Sequence, residues 1–222
     1  MAEYQSPEWH PAFEEYCETI FELREDDVDV IQARIAERLS VSRPAVSEMI
    51  KRMEVEGLVA LDGHRIDLTP AGRKLAERVV RKHRLAERFL TDMLGLSWAV
   101  AHKEAGKWEH VISDEVEAAI VRVLHDPTTC PHGNPIPGSK HATQKVPTVA
   151  LASVEPGSVT VARISEKLEL SDDGLKLVAD ARLMPGCSAT VVERAADGVH
   201  VTTATGDHVV PTKVAEQLYV SV

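Results

Sequence analysis

In the run His102-Lys103-Glu104-Ala105-Gly106-Lys107-Trp108-Glu109-His110-Val111, residues 102, 106, 109 and 110 fall along one side of a helix. Two imidazoles and a carboxylate therefore point the same way. Upstream, His83 and Glu87 lie four residues apart and form a second such pair on a helical stretch. Imidazole and carboxylate at these spacings are the donors that a divalent first-row metal takes from helices. Still further upstream lies a helix-turn-helix pattern followed by a hairpin. A metal site built beside a DNA reader points to a metal-sensing regulator.

Composition sets bounds on that reading. A chain of 222 residues with 44% hydrophobic content suits one large domain or two to three small ones, with real cores. Cys17, Cys130 and Cys187 are odd in number and widely spaced. That disfavours a disulfide framework or a four-cysteine zinc site, fits a reducing compartment, and makes the cytoplasm the expected location. No signal-peptide pattern is present, and no apolar run approaches the ~18–20 residues of a membrane helix, so no membrane partner is expected. The net charge of −10 at first opposes nucleic-acid binding, but it is unevenly placed. Between Ile31 and Leu90 there are 13 Lys+Arg against 8 Asp+Glu, leaving 12 against 27 elsewhere. A locally basic segment is compatible with one DNA-binding domain, while the acidic remainder disfavours non-specific adhesion.

Several elements must position these residues. Residues 12–24 place Phe13, Tyr16, Cys17, Ile20 and Phe21 at helical spacing, with Glu15, Glu18 and Glu22 opposite. Glu22 reads as part of a solvated acidic face and Cys17 as core. Residues 30–39 predict a short helix, Ser40-Val41-Ser42 a break, and 44–56 a second helix with Ser42 or Arg43 as cap and Pro44 in its first turn. Gly57 ends that helix. Strands at 58–61 and 65–68 follow, joined by Asp62-Gly63-His64. This is a winged helix-turn-helix, whose second helix enters the major groove. Helices are predicted from 71 to about 94, from 99 to 109, and from a cap at Ser113 to about 124, with apolar faces in excess of what they bury among themselves, so a homodimer is expected. A Pro-, Gly- and His-rich loop at about 126–147 separates them from strands at 157–164, 189–194, 199–203, 208–211 and 218–222, with a short helix at 173–180. The fold class is mostly α with β: a winged helix-turn-helix domain (1–76), a helical dimerisation and metal domain (77–140) and a small barrel (148–222).

The stretches ARIAERLSVSRPAVSEMIKRMEVEGLV, RKHRLAERFLTDMLGL and HKEAGKWEHVISDEVE, followed by HGNPIPG, resemble the iron- and manganese-dependent repressors typified by the diphtheria toxin repressor. The resemblance implies a C-terminal SH3-like barrel, a homodimer, operator DNA as partner, and Mn(II) or Fe(II) as co-repressor, with Co(II), Ni(II) or Zn(II) substituting in vitro. It implies one metal site from Glu15, Glu18, Glu109 and His110, with His83 as a further candidate because Gly106 stands where relatives carry a side-chain ligand. It implies a second from His83, Glu87 and His102, completed by oxygen ligands from the barrel region, where Asp172 and Asp173 compete with a plain solvated turn. The absence of sulfur at the aligned positions favours Mn(II) or Fe(II). DNA contacts align with Ser42, Arg43, Pro44, Ala45, Ser47, Glu48 and Arg52, with Lys51 and Arg65 as phosphate partners. His10, His64, His125, His132, His141, His200 and His208 read as surface residues.

Two rival readings remain open at this level. One is a winged-helix transcription factor that senses a different effector and holds metal for structure only. The other is a metallohydrolase, which the absence of an H-E-x-x-H motif or a Ser/Cys–His constellation disfavours; no enzyme activity and no small-molecule substrate are expected.

Overall fold

The structure, a computed structural model, describes residues 10–139 and 147–222. His141, one of the histidines read as surface residues, lies outside them, as does the side chain of His10. The chain divides into two compact units: the chain through Lys82 together with Glu109–Val111, and His83–Trp108 with Ile112–Val222.

The first unit contains α1 (His10–Glu25), α2 (Gln32–Leu39), α3 (Arg43–Val55), the hairpin β1 (Val59–Asp62) and β2 (Arg65–Leu68), and the start of α4 (Pro70–Asp92). Ser40 closes α2 in the left-handed conformation, and Ser42 caps α3 by accepting a hydrogen bond from the Ala45 amide, with Pro44 in the first turn. Phe13, Cys17, Ile20, Ile35, Val46, Ile50, Met53 and Ile66 fill the core, so the side of α3 opposite Val46, Ile50 and Met53 is left outward. The hairpin pairs Asp62 with Arg65 across a tight turn in which Gly63 takes a positive φ. Glu22 does not lie on a solvated face: it is buried, 2.7 Å from Arg38.

The second unit combines the later part of α4 with α5 (Trp98–Trp108), α6 (Asp114–Val123), and a sheet of β3 (Val149–Ala150), β4 (Gly157–Ile164), β5 (Ser188–Ala195), β6 (Gly198–Thr203), β7 (Gly206–Val210) and β8 (Leu218–Ser221). Short helices α7 (Glu166–Glu169) and α8 (Asp172–Asp180) follow β4, and α9 (Thr212–Ala215) precedes β8. The sheet is antiparallel in the order β3-β8-β4-β5-β6-β7 over a core including Leu151, Val161, Ile164, Val191, Val201 and Val220. Where an SH3-like barrel was expected, the described residues form one six-stranded antiparallel sheet with β3 and β7 at its ends.

Two glycines make contrasting tests of this packing. A Cβ on Gly72 would stand 1.9 Å from the Leu58 carbonyl oxygen, whereas one on helical Gly106 would meet nothing within 4 Å. Gly72→Ala is expected to lower thermal stability by about 1–3 kcal/mol. Gly106→Ala is expected to raise it by about 0.5–1 kcal/mol, since glycine is a poor helix former. Melting curves of the two variants check this; a neutral Gly72→Ala would contradict the close approach of α4 to Leu58.

Candidate metal centre

Four segments of the second unit converge on one buried cluster. α4 presents His83 and Glu87 one turn apart, and α5 presents His102. The loop after α6 brings Cys130 and His132, and α7 brings Glu166 and Glu169. The loop can lie against β4 because residue 133 is glycine: φ is +86°, and a Cβ there would meet the Ala162 carbonyl oxygen at 2.2 Å. The Ile164 amide then donates to the His132 carbonyl at 2.9 Å, and the Cys130 amide to that of Asn134 at 2.9 Å, closing the turn. Ser165 caps α7 by accepting from the Leu168 amide, which turns both glutamates inward.

Donor atoms in this cluster are separated as ligands around a cation are. Glu87 Oε1 lies 3.0 Å from His102 Nδ1 and 3.3 Å from His83 Nε2, and the two imidazole nitrogens are 3.3 Å apart. Glu169 Oε2 lies 2.8 Å from His132 Nδ1 and 3.4 Å from His102 Nδ1. With bonds of about 2.1 Å, adjacent ligands of an octahedral ion are about 3.0 Å apart. Two neighbours fix the carboxylates. Arg84, fully buried, donates to Glu166 Oε1 at 2.8 and 3.2 Å and to the Pro135 carbonyl at 2.6 Å. Asn134 Nδ2 donates to Glu169 Oε1 and to the Ile164 carbonyl, each at 2.9 Å.

Electrostatically the cluster is short of positive charge. Three buried carboxylates face one buried guanidinium, and Glu87 Oε2, Glu166 Oε2 and His132 Nε2 are buried without a hydrogen-bond partner among the described residues. Orphaned buried oxygens of this kind are costly unless a cation or a proton meets them. Protonation states respond accordingly. Burial disfavours a charged His102 ring, but hydrogen bonds to Glu169 and Glu87 overrule it and raise its pKa to about 9. His132 is likewise driven well above the usual histidine value, burial being outweighed by Glu169 and Glu87. Glu87, despite burial, is held well below the usual carboxylate range by His132 and His83. Burial and the neighbouring Glu166 push Glu169 up. The residues fit a divalent ion: neutral imidazoles, carboxylates and a thiol are its donors, and the unpartnered oxygens are what it would satisfy.

A second group lies in the first unit. Glu14, not Glu15, meets His110: its Oε2 is 2.7 Å from Nδ1, while Oε1 accepts from Arg78 at 3.1 Å. Glu109 Oε1 lies 3.1 Å from His110 Nε2. The hydrogen bond to Glu14 raises the His110 pKa, with the charges of Glu109 and Glu15 adding to it against burial. Glu15 is exposed and Glu18 half-buried on α1. The structure thus brings His110 and Glu109 together as expected, but turns the neighbouring carboxylate inward.

The expected DNA-contacting residues share an exposed surface of the first unit. Ser42, Arg43, Pro44, Ala45, Glu48, Lys51 and Arg52 are exposed at the start and along the outer side of α3, with Ser47 half-buried. Arg65 is exposed at the tip of the hairpin. The guanidinium of Arg52 stands 5.7 Å from the centre of the Phe13 ring, which holds it on this side.

Some sequence expectations need correction. His132 is not a surface residue but fully buried in the cluster, its ring edge-on to Trp98 at 4.7 Å. The HGNP segment and the preceding Cys130 carried that signal, since a histidine two residues from a cysteine is a ligand spacing. Asp172 and Asp173 are exposed in the first turn of α8, Asp172 lying 3.4 Å from Lys103, so the carboxylates of this region that reach the cluster are Glu166 and Glu169. A sulfur atom is also present, with Cys130 Sγ 3.9 Å from His132 Nδ1. His64 and His125 are exposed, and His200 and His208 half-exposed.

Comparison with known proteins agrees with this architecture. Residues 10–65 match the family model for the iron-dependent repressor N-terminal DNA-binding domain, and residues 69–138 that for the iron-dependent repressor metal-binding and dimerisation domain. The chain is 43% identical over 198 residues to the diphtheria toxin repressor of Corynebacterium diphtheriae, covering 85% of this chain and 86% of that one. It is 41% identical over 199 residues to the iron-dependent repressor IdeR of Mycobacterium tuberculosis, with the same coverage. Among solved structures, a manganese-dependent transcriptional repressor in complex with manganese superposes with a TM-score of 0.84 at 32% identity, covering 94% of this chain and 99% of that one. IdeR of T. acidophilum superposes at 0.79 with 28% identity, covering 99% and 100%.

The raised His102 pKa has a measurable consequence. The folded state holds a proton that the unfolded chain releases near 6.5, so the stabilisation is full below pH 6.5 and lost as pH rises through about 9. Metal-free protein is expected to lose roughly 3 kcal/mol over that interval, seen as a melting temperature several degrees lower at pH 9 than at pH 6.5. Equal melting temperatures in chelator at the two pH values would contradict the cluster's proton affinity.

Proposed function

The chain belongs to the iron-dependent repressor family, and from that premise we propose that it is a homodimeric transcriptional repressor of metal-ion homeostasis whose operator binding is switched on by Mn(II) or Fe(II). The observation that carries this reading is the buried donor cluster with its unpartnered carboxylate oxygens, in a chain that also exposes a helix-turn-helix recognition surface. A divalent cation, when bound, supplies the positive charge that Glu87, Glu166 and Glu169 lack. His83, Glu87, His102, Glu166 and Glu169 would hold it in the second unit. Glu109 and His110, with Glu14, Glu15 and Glu18 as the acidic partners on α1, would form the second metal-responsive group.

The remaining steps belong to the chain's own residues. Glu14 engages His110 at Nδ1, which orients the ring and leaves Nε2, 3.1 Å from Glu109 Oε1, as the nitrogen that would take a metal. Binding favours whichever arrangement of α1 presents more ligands, and by linkage that same arrangement is favoured for DNA. Ser42 at the cap of α3 and Arg43, Ser47, Lys51 and Arg52 on it reach phosphates, and Arg65 does so from the hairpin. Pro44 and Ala45 pack on thymine methyl groups, and Glu48, an acceptor only, suits a cytosine amino group.

Exposed Met93, Leu94, Val100, Val116 and Val123 on and beside the helices of the second unit supply an apolar surface for a twofold partner. The three-domain division at residues 76 and 140–148 is the functional partition consistent with these roles. Action is by binding, without turnover, and in the cytoplasm where operator DNA is. Among the described residues, no helix is long and apolar enough to cross a membrane.

Fluorescence anisotropy on operator DNA tests the reading. Mn(II) or Fe(II) is expected to tighten binding at least tenfold over chelator, with circular dichroism unchanged. Arg52→Ala is expected to weaken binding across sequences and reduce the salt slope by about one. Tight binding that ignores chelator would sink the proposal and favour a winged-helix regulator with structural metal.

A further inference from the structure

One contact joins α1 to the outward side of the recognition helix. The Arg52 guanidinium stands 5.7 Å from the centre of the Phe13 ring, inside the distance at which a ring face attracts a cation. Phe13 is only 2% exposed and shares a core with Val46, Ile50 and Met53 of α3, whereas Arg52 is exposed among the expected DNA contacts. Both line a hollow of about 310 Å³ together with Glu48, Lys51, Val55 and Glu56. Glu48 and Glu56 lie four residues before and four after Arg52, so carboxylates compete for its charge. A carboxylate would occupy the N–H donors and cancel the charge. A ring face does neither, and leaves a flexible side chain placed for a phosphate.

We infer that Phe13 is a positioning residue for operator binding: its ring, carried by α1, sets the Arg52 guanidinium on the DNA backbone, so that the placement of α1 is read on α3. The inference rests on the metal-responsive reading given above and names the side chains that connect its two halves. The residue after Phe13 is Glu14, whose carboxylate lies 2.7 Å from His110 and accepts from Arg78 at 3.1 Å. On one helix, neighbouring side chains are about 100° apart and about 1.5 Å apart along the axis, and they move together. A shift of α1 that re-aims Glu14 or Glu15 therefore carries the Phe13 ring with it. The guanidinium then loses its seat and falls to the carboxylates of the hollow.

The test is operator affinity of the full-length chain in saturating Mn(II), measured by fluorescence anisotropy across a range of salt concentrations. Phe13→Leu is expected to weaken binding about three- to tenfold and to lower the salt slope by about one, as loss of one phosphate contact does. Phe13→Leu combined with Arg52→Ala is expected to bind within about twofold of Arg52→Ala alone, because both remove the same contact. Phe13→Tyr keeps the ring face and is expected to keep the wild-type slope. Ile20→Val loosens the same core and is expected to lower the melting temperature with the slope unchanged. Arg52→Lys keeps the test independent of core packing, since the side chain is exposed. It is expected to weaken binding as Phe13→Leu does, an ammonium being a poorer partner for ring and phosphate together. An unchanged slope in Phe13→Leu, additive losses in the double variant, or wild-type affinity in Arg52→Lys overturns the inference. If Mn(II)-dependent binding by wild type persists in that case, the repressor reading stands; if wild-type binding ignores chelator, both fall.

Discussion

Three carboxylates buried beside one guanidinium are the constraint around which the second unit is organised. Burying a carboxylate without compensation costs several kcal/mol, and the cluster meets that cost with Arg84, with Asn134 and with imidazoles that take up protons. Each compensating group comes from a different segment, so the charge imbalance also serves as a connector. α4 carries Arg84, Glu87 and His83; α5 carries His102; the loop carries His132 and Asn134; α7 carries the two remaining glutamates. Glycine at position 133 is part of the same constraint, since a side chain there would lift the loop away from β4 and take His132 and Asn134 with it.

Protons and metal ions compete for this cluster. In the metal-free chain, His102 and His132 hold protons more firmly than an ordinary histidine because the carboxylates beside them need positive charge. A divalent ion brings that charge in more concentrated form and asks the same nitrogens to give up their protons. Metal affinity is therefore linked to pH through the cluster that also stabilises the fold. The Glu14–His110 pair in the first unit follows the same logic on a smaller scale: Glu14, which also accepts from Arg78, raises the proton affinity of a ring that is a potential metal ligand.

Much of this was legible in the sequence, for identifiable reasons. The helix-turn-helix announces itself through Ser42, Pro44 and Gly57, because caps and helix-ending glycines act locally. The wing is signalled by Asp62-Gly63, and the pairing of His83 with Glu87 by helical spacing. What escaped was set by distant contacts. α7 spans only four residues, too few to display periodicity, yet it orients Glu166 and Glu169. His132 lies in a loop whose path is decided by Gly133 against β4, a contact about thirty residues away in sequence that no local pattern reports. Glu14 and Glu15 are about 100° apart on one helix, so which of them meets His110 depends on how α1 packs and not on spacing. Glu22 appeared solvated because its partner Arg38 lies on another helix.

Isothermal titration of Mn(II) into metal-free protein at pH 7.5, repeated in buffers of different ionisation enthalpy, tests the account at its centre, because it counts the protons that metal displaces. If protonated imidazoles stand in for the missing cation, more than one proton per chain leaves on binding, and the number falls when His102 is replaced by glutamine. Binding with no net proton release would contradict the account, and would mean that the buried carboxylates are neutralised in some other way before the metal arrives.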